Sequence, residues 1–322
     1  MKVAFRVDGN KTLGLGHVKR CIVIAKNLKE RNVSCFFITK FKETQYFLES
    51  KGFDVFIIKN NNELDQINEI LKKENSTKLV IDSKKKSIEK LLKNLNSKIK
   101  IILIDNTNYW KYADLIILSS LKNPNFFYPE NSIFGSEYLL HGIEELPKSI
   151  KRKNNSILLS MGGSDKYNIT KKIIISFSKS NYDFNLVVVL GKFYDNEKNL
   201  LKIINDDKRF HIIKSPSSLT SLMQQASIGI VTFGITVYEA AICRLPLFVI
   251  SHSNENDISA KLVEKYGWIS YFGKYDKIPY DIIPNTVFNL LKNKRKLQTM
   301  KQACLQIDGL GPLRVSKHIE KL

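Results

Sequence analysis

Residues 2–28 read KVAFRVDGNKTLGLGHVKRCIVIAKNL. An apolar run (2–7) leads into a glycine-bearing loop. Apolar residues then return at helical spacing, at Val18, Cys21, Ile22, Ile24, Ala25 and Leu28. Strand, glycine loop, helix is the unit from which parallel α/β sheets are built. Its loop lets a backbone come close to a phosphate or a sugar. The spacing is not G-x-G-x-x-G, so a dinucleotide fingerprint is absent.

The same alternation continues outward. Short apolar runs at 34–39, 54–58, 78–82, 100–105 and 114–118 predict further strands, with helical patterns between the early ones. Proline-punctuated, polar sequence occupies 121–153, and residues 148–155 read as a linker. Alternation then restarts, with predicted strands at 156–161, 184–190, 212–213, 228–232 and 247–250. The expected fold is α/β, with two Rossmann-like doubly wound parallel-sheet domains facing across a cleft. The first spans 1–148. The second spans 149–322, its last helix being a candidate to pack back on the first domain. The cleft at the strand C-termini is the expected ligand position.

Bulk properties narrow the function classes. The chain has 322 residues, 43% hydrophobic and 25% charged, which is ordinary globular composition. No apolar run reaches the length of a spanning helix, and Arg6 and Asp8 fall where a signal peptide needs apolar residues. A cytoplasmic protein is expected. Cys21, Cys35, Cys243 and Cys304 are far apart among apolar neighbours and predict buried free thiols. The net charge of +20 comes mostly from scattered lysine, with local runs such as Lys84-Lys85-Lys86. It predicts a solvated basic surface or attraction to an anionic substrate or membrane periphery. No nucleic-acid partner and no stable membrane insertion are expected.

His17 falls in the first turn of the first helix, with Arg20 three residues on along the same face. Imidazole exchanges its proton near neutral pH and suits acid–base work. Asp8, closing the preceding strand, is the candidate to orient it. Spacing alone fits a helix-terminus histidine bonded to backbone equally well. In the second half, Met161-Gly162-Gly163-Ser164-Asp165 predicts a tight turn before a helix, with Asp165 as N-cap. Gly234-Ile235-Thr236 follows a strand and opens a helix whose N-terminus favours a diphosphate. Glu239, one turn in, is placed either to accept ribose hydroxyls or to interact with the helix dipole. Ser251-His252-Ser253-Asn254 is a polar loop between a strand and a helix.

Arg6-x-Asp8-Gly9 followed by Gly14-x-Gly16-His17-x-x-Arg20 resembles the start of the UDP-sugar hydrolases of pseudaminic acid biosynthesis. These enzymes are similar to spore-coat polysaccharide proteins and related in fold to the GT-B glycosyltransferases. The resemblance implies hydrolysis of a UDP-linked 2,4-diacetamido-2,4,6-trideoxy sugar at its C1–O bond, with His17 catalytic; Asp8 joins it as catalytic partner on position. It further implies sugar contacts from Arg6, Gly14, Gly16, Arg20, Asp82 and Asn254. Nucleotide contacts are implied from Gly162, Gly163, Ser164, Gly234, Thr236 and Glu239. No cofactor and no metal are expected. The closing Asp308-Gly309-Leu310-Gly311 segment resembles the family's last motif and reads equally as a structural turn. Three positions depart from the family pattern. Ser83-Lys84 lacks a tyrosine after Asp82, Asn106 replaces an acidic residue, and His141 stands in place of an arginine. All three put the sugar's identity in question. A glycosyltransferase using the same UDP-sugar, and a catalytically silent binding module, are the alternatives.

Overall fold

The computed structural model describes all residues except 11, 12, 60, 61, 84–87, 148, 150 and 151. The Lys84-Lys85-Lys86 run and three positions of the expected linker thus lie outside the described residues.

The chain divides into two compact units, Met1–Glu144 together with Gly309–Leu322, and Glu145–Asp308. In the first unit β1 (Lys2–Val7), α1 (Gly16–Lys29), β2 (Ser34–Thr39), α2 (Lys42–Glu49), β3 (Asp54–Ile57), α3 (Glu63–Lys73) and β4 (Lys78–Asp82) alternate strictly. They are followed by α4 (Ile88–Asn94), β5 (Lys100–Ile104), β6 (Leu115–Leu118) and β7 (Ser132–Phe134). Among the described residues the sheet is parallel throughout, in the order β3-β2-β1-β4-β5-β6-β7.

Alternation of side chains along each strand divides this unit's core into two. Val3, Phe5 and Val7 pack under α1 with Val18, Cys21 and Ile22. Ala4, Ile38 and Ile81 face the other way, toward Ile67, Leu71 and Leu91 of α3 and α4.

The second unit repeats the plan. It runs β8 (Ser156–Ser160), α5 (Ile169–Ser178), β9 (Asn185–Leu190), α6 (Glu197–Ile204), β10 (Phe210–Lys214), α7 (Thr220–Gln225) and β11 (Ile228–Thr232). Then come α8 (Ile235–Ile242), β12 (Leu247–Ser251), α9 (Asn254–Glu264), β13 (Ile269–Lys274), α10 (Ile283–Lys292) and α11 (Lys294–Ala303). The strand order is β10-β9-β8-β11-β12-β13, again parallel. The chain then returns to the first unit as α12 (Gly311–Lys321), whose Val315 and Ile319 join the core under α1. Lys78 Nζ caps this helix on the carbonyls of Ile319 and Glu320, at 2.8 Å each.

Two edge strands, β7 and β13, lie beyond the expected set. In both sheets the strand order reverses beside the first strand, between β1 and β4 and between β8 and β11. Such a switch point is where open α/β sheets bind ligands. Among the described residues, no helix is long and apolar enough to cross a membrane.

Candidate active site

At the first unit's switch point Asp82, the last residue of β4, pairs in register with Val7 of β1. It therefore shares the α1 face of the sheet. His17 and Arg20 descend from α1 onto it. His17 Nδ1 lies 2.7 Å from Asp82 Oδ1. Arg20 holds both carboxylate oxygens, Nε on Oδ2 at 2.6 Å and Nη2 on Oδ1 at 2.6 Å. Its Nη1 donates to Asp105 Oδ2 at 2.5 Å, while Asp105 Oδ1 accepts from the Ser119 N–H at 2.7 Å.

Burial raises the Asp82 pKa, but Arg20 and His17 outweigh it and hold the carboxylate below the ordinary range. Burial likewise disfavours charge on Arg20, yet Asp82 and Asp105 leave its pKa raised. Arg20 Nη2 also lies 3.1 Å from His17 Nδ1, but the carboxylate of Asp82 is nearer, at 2.7 Å, and is a pure acceptor, which favours the proton of His17 on Nδ1. That leaves the Nε2 lone pair as the imidazole's basic position. The His17 side chain is 36% exposed while Asp82 is 1% exposed, so the pair is buried at the carboxylate and open at the imidazole. Cys21 Sγ also approaches Asp82, at 3.7 Å. Burial and that carboxylate push its thiol well up, so it stays protonated.

This geometry corrects the expected partner of His17. Asp8 is two residues beyond Arg6, and Arg6 pairs in register with Ile81, on the face opposite to Asp82. Arg6 donates to both Asp8 oxygens, at 2.7 and 3.0 Å, and to Glu63 at 2.9 Å. Asp8 Oδ1 also accepts from Thr39 Oγ1 and the Lys40 N–H. The side-chain parity of β1 thus separates Asp8 from His17, and Asp82, expected to contact sugar, takes the orienting place.

Arg6 and Arg20, also expected to contact sugar, are buried in these ion networks, 5% and 8% exposed. Gly14, in the loop before α1, has φ +73°, and an added Cβ would meet no atom within 4 Å. Gly16 opens α1. The helix has no acidic residue in its first turn and no side-chain cap among the described residues.

Two of the three departures from the family pattern meet each other: Asn106 Nδ2 donates to the Ser83 carbonyl at 3.0 Å. The third, His141, is 2% exposed. Its Nε2 lies 2.8 Å from the Gly309 carbonyl, and its Nδ1 accepts from the Ile143 N–H. Gly311 packs so closely that an added Cβ would strike the Leu139 backbone. His141 and the closing glycines therefore seat the return of the chain.

In the second unit, Gly162 takes φ +86°, a left-handed conformation suited to glycine. Gly163 and Ser164 follow it in the turn after β8. Gly191 is the unforeseen partner, since a Cβ there would run into the backbones of Gly162 and Gly163. Gly191→Ala should destabilise the protein by about 1–3 kcal/mol, the usual cost of overpacking. An unchanged denaturation midpoint would show that the turn gives way.

Asp165 is not the N-cap residue of α5, a place held by Asn168. Its carboxylate nonetheless caps the helix, accepting from the Ile169 and Thr170 N–H groups at 2.9 and 2.8 Å. Burial raises its pKa, and those hydrogen bonds only partly offset this. That helix end is occupied.

The start of α8 differs. Gly234 precedes it in extended backbone with open space where a Cβ would go. Its first turn, with Thr236, holds no acidic residue, and no side-chain cap is present among the described residues. Glu239 lies in the next turn, partly exposed. Asn254 begins α9 and accepts from Lys274 Nζ at 3.1 Å.

Position in sequence gave no sign of a further cluster between these loops. His252 lies within 3.4 Å of Asn256 Nδ2, which itself donates to the Phe233 carbonyl. Its ring is 6.4 Å from Tyr167, which stacks on Tyr275 at 4.0 Å. Burial lowers the His252 pKa. All four cysteines are buried and free.

No family profile matches the chain. It is 30% identical over 296 residues to the uncharacterized protein MJ1062 of Methanocaldococcus jannaschii, covering 83% of this chain. The chain spans only 58% of that relative's length. It is 23% identical to the spore coat polysaccharide biosynthesis protein SpsG of Bacillus subtilis, over 100% of this chain and 98% of that one. To the UDP-2,4-diacetamido-2,4,6-trideoxy-beta-L-altropyranose hydrolase of Campylobacter jejuni it is 26% identical, over 69% and 87%.

The fold is that of the GT-B proteins. The glycotransferase of kitacinnamycin matches with TM-score 0.74 at 10% identity, covering 99% of this chain and 98% of that one. The UDP co-structure of Staphylococcus aureus MnaA matches with TM-score 0.72 at 13% identity, covering 99% and 96%.

Proposed function

We propose that this chain, a relative of the spore coat protein and of the diacetamido-trideoxy-altropyranose hydrolase, is a cytoplasmic UDP-sugar hydrolase. Its substrate class is a UDP-linked 2,4-diacetamido-2,4,6-trideoxy sugar, whose release serves nonulosonic acid synthesis. The observation that carries this reading is the 2.7 Å contact of His17 Nδ1 with Asp82, which supports Nε2 as the base.

In the proposed reaction His17 Nε2 accepts a proton from water as its oxygen attacks the anomeric carbon. The C1–O bond breaks, and its electron pair stays on the β-phosphate oxygen of departing UDP. Attack opposite the leaving group inverts C1. The open N-terminus of α8, with Gly234 and Thr236, supports the developing charge through backbone N–H groups and the helix dipole. Gly162, Gly163 and Ser164 shape the neighbouring turn. Gly14, with open space where a Cβ would go, and Gly16 are proposed sugar contacts, as is Asn254.

The test is turnover of UDP-sugars in ¹⁸O-labelled water, with and without glycan acceptors. Acceptor-independent UDP release with label in the sugar supports hydrolysis at C1. Release that requires an acceptor supports the second reading, a GT-B glycosyltransferase in which an acceptor hydroxyl replaces water. That reading is favoured by the glycotransferase of kitacinnamycin, a protein of similar fold. Tight UDP binding without turnover supports a binding module.

Glu239 is proposed to accept the ribose hydroxyls. Glu239→Ala should weaken UDP binding by about 1.5–3 kcal/mol, the range for hydrogen bonds to a charged group. Calorimetry showing unchanged affinity in a folded variant would remove this assignment.

A further inference from the structure

The connection between β6 and β7 leaves two neighbouring phenylalanines in the open. Phe127 is 63% exposed and Phe126 43% exposed. Their setting is built. Phe127 stands edge-on to Trp110 with ring centroids 6.2 Å apart, and Phe126 to Tyr128 at 5.2 Å. Tyr128 lies against Phe134 at 3.9 Å, and its hydroxyl accepts from the Asn123 N–H at 2.7 Å. Asn131 Nδ2 binds the Trp110 and Ala113 carbonyls, joining this connection to the turn that carries Trp110.

Two exposed lysines frame the rings. Lys111 Nζ sits 5.7 Å from the Trp110 ring, and Lys122 Nζ 6.0 Å from Phe134. Glu130 is the single acidic residue of the connection, 119–131.

Exposed phenylalanines beside a tryptophan and lysines, in a chain of net charge +20, match the chemistry of an anionic lipid surface. Rings enter the headgroup–acyl boundary while ammonium groups meet the phosphates. We propose that the Trp110–Tyr112 turn and the Phe126-Phe127 connection dock the protein peripherally on an anionic bilayer. The proposal is independent of whether water or another hydroxyl is the acceptor, because none of these residues belongs to the His17 cluster.

The experiment sediments the full chain with vesicles of phosphatidylcholine alone or with about 30% phosphatidylglycerol. Binding should require the anionic lipid, and the double variant F126S/F127S should weaken it at least about tenfold. Lys111→Glu with Lys122→Glu should weaken it too and flatten its salt dependence. Trp268 is fully buried, so a blue shift of tryptophan emission on vesicle addition would report Trp110 entering the interface. UDP binding and turnover without vesicles should be unchanged in F126S/F127S.

Three results would overturn the proposal. One is no binding to either vesicle. Another is binding untouched by F126S/F127S, which would assign it to dispersed lysines. The third is self-association lost in F126S/F127S without vesicle binding, which would assign the surface to a second copy of the chain.

Discussion

A folded His17→Asn variant should turn over its UDP-sugar at least about 10²-fold more slowly, the usual contribution of a positioned acid–base group. Its UDP dissociation constant should change little, because the proposed nucleotide contacts lie in the other unit. Asparagine keeps polarity near Nδ1 and can still reach Asp82, so the fold should tolerate it. It has no basic nitrogen at the Nε2 position. A purely structural histidine predicts the reverse, a modest loss of stability with the rate preserved. Single-turnover kinetics with calorimetry on UDP separates the two. Retention of most activity would return His17 to a helix-terminus role.

The second large effect concerns Asp82. Asp82→Asn leaves buried Arg20 with one carboxylate, and breaking a buried pair from one side costs about 3–5 kcal/mol. Asparagine can also donate to His17 Nδ1. The imidazole would then carry its proton on Nε2 and lose its base, for a further loss of about 10²–10⁴-fold in rate.

Asp105→Asn is the control. It too removes a carboxylate from Arg20, at 2.5 Å, but does not touch His17. It should be destabilised, though less than Asp82→Asn because Asp105 makes one bond to Arg20 and is 22% exposed, while keeping turnover. Equal rates in both variants would separate Asp82 from the chemistry.

The pH dependence follows from the same carboxylate. Asp82 is held below the ordinary carboxylate range, so near pH 4 it binds fewer protons folded than unfolded. Its stabilising contribution is full above that range and declines as the pH falls below it. Denaturant unfolding should therefore show the gap between parent and Asp82→Asn shrinking in acid.

The sheet plan was legible because buried parallel strands are continuous apolar runs, and 2–7, 34–39 and 228–232 are of that kind. β7 escaped because it has three residues behind Pro129. β13 escaped because it carries Gly273, at φ +119°, and pairs with β12 through a register shift. His17 was legible from its place behind a glycine loop. Its partner was not. Asp8 is nine residues away in sequence and Asp82 sixty-five, and the choice between them turns on the parity of β1 and its register with β4. Register arises from pairing across the sheet, which no local pattern encodes. The same holds for Arg6 and Arg20, whose charges looked available for a ligand until the fold supplied Asp8, Glu63, Asp82 and Asp105.

The return of residues 309–322 to the first unit sets an order on assembly. α1 carries His17, yet the core beneath it includes Val315 and Ile319. During synthesis the second unit, Glu145–Asp308, is complete before those residues exist. The later-encoded unit can thus mature first, while the earlier one waits with its α12 docking surface uncovered. A released chain truncated at residue 308 should hold a protease-resistant second unit beside a first unit more open to cleavage.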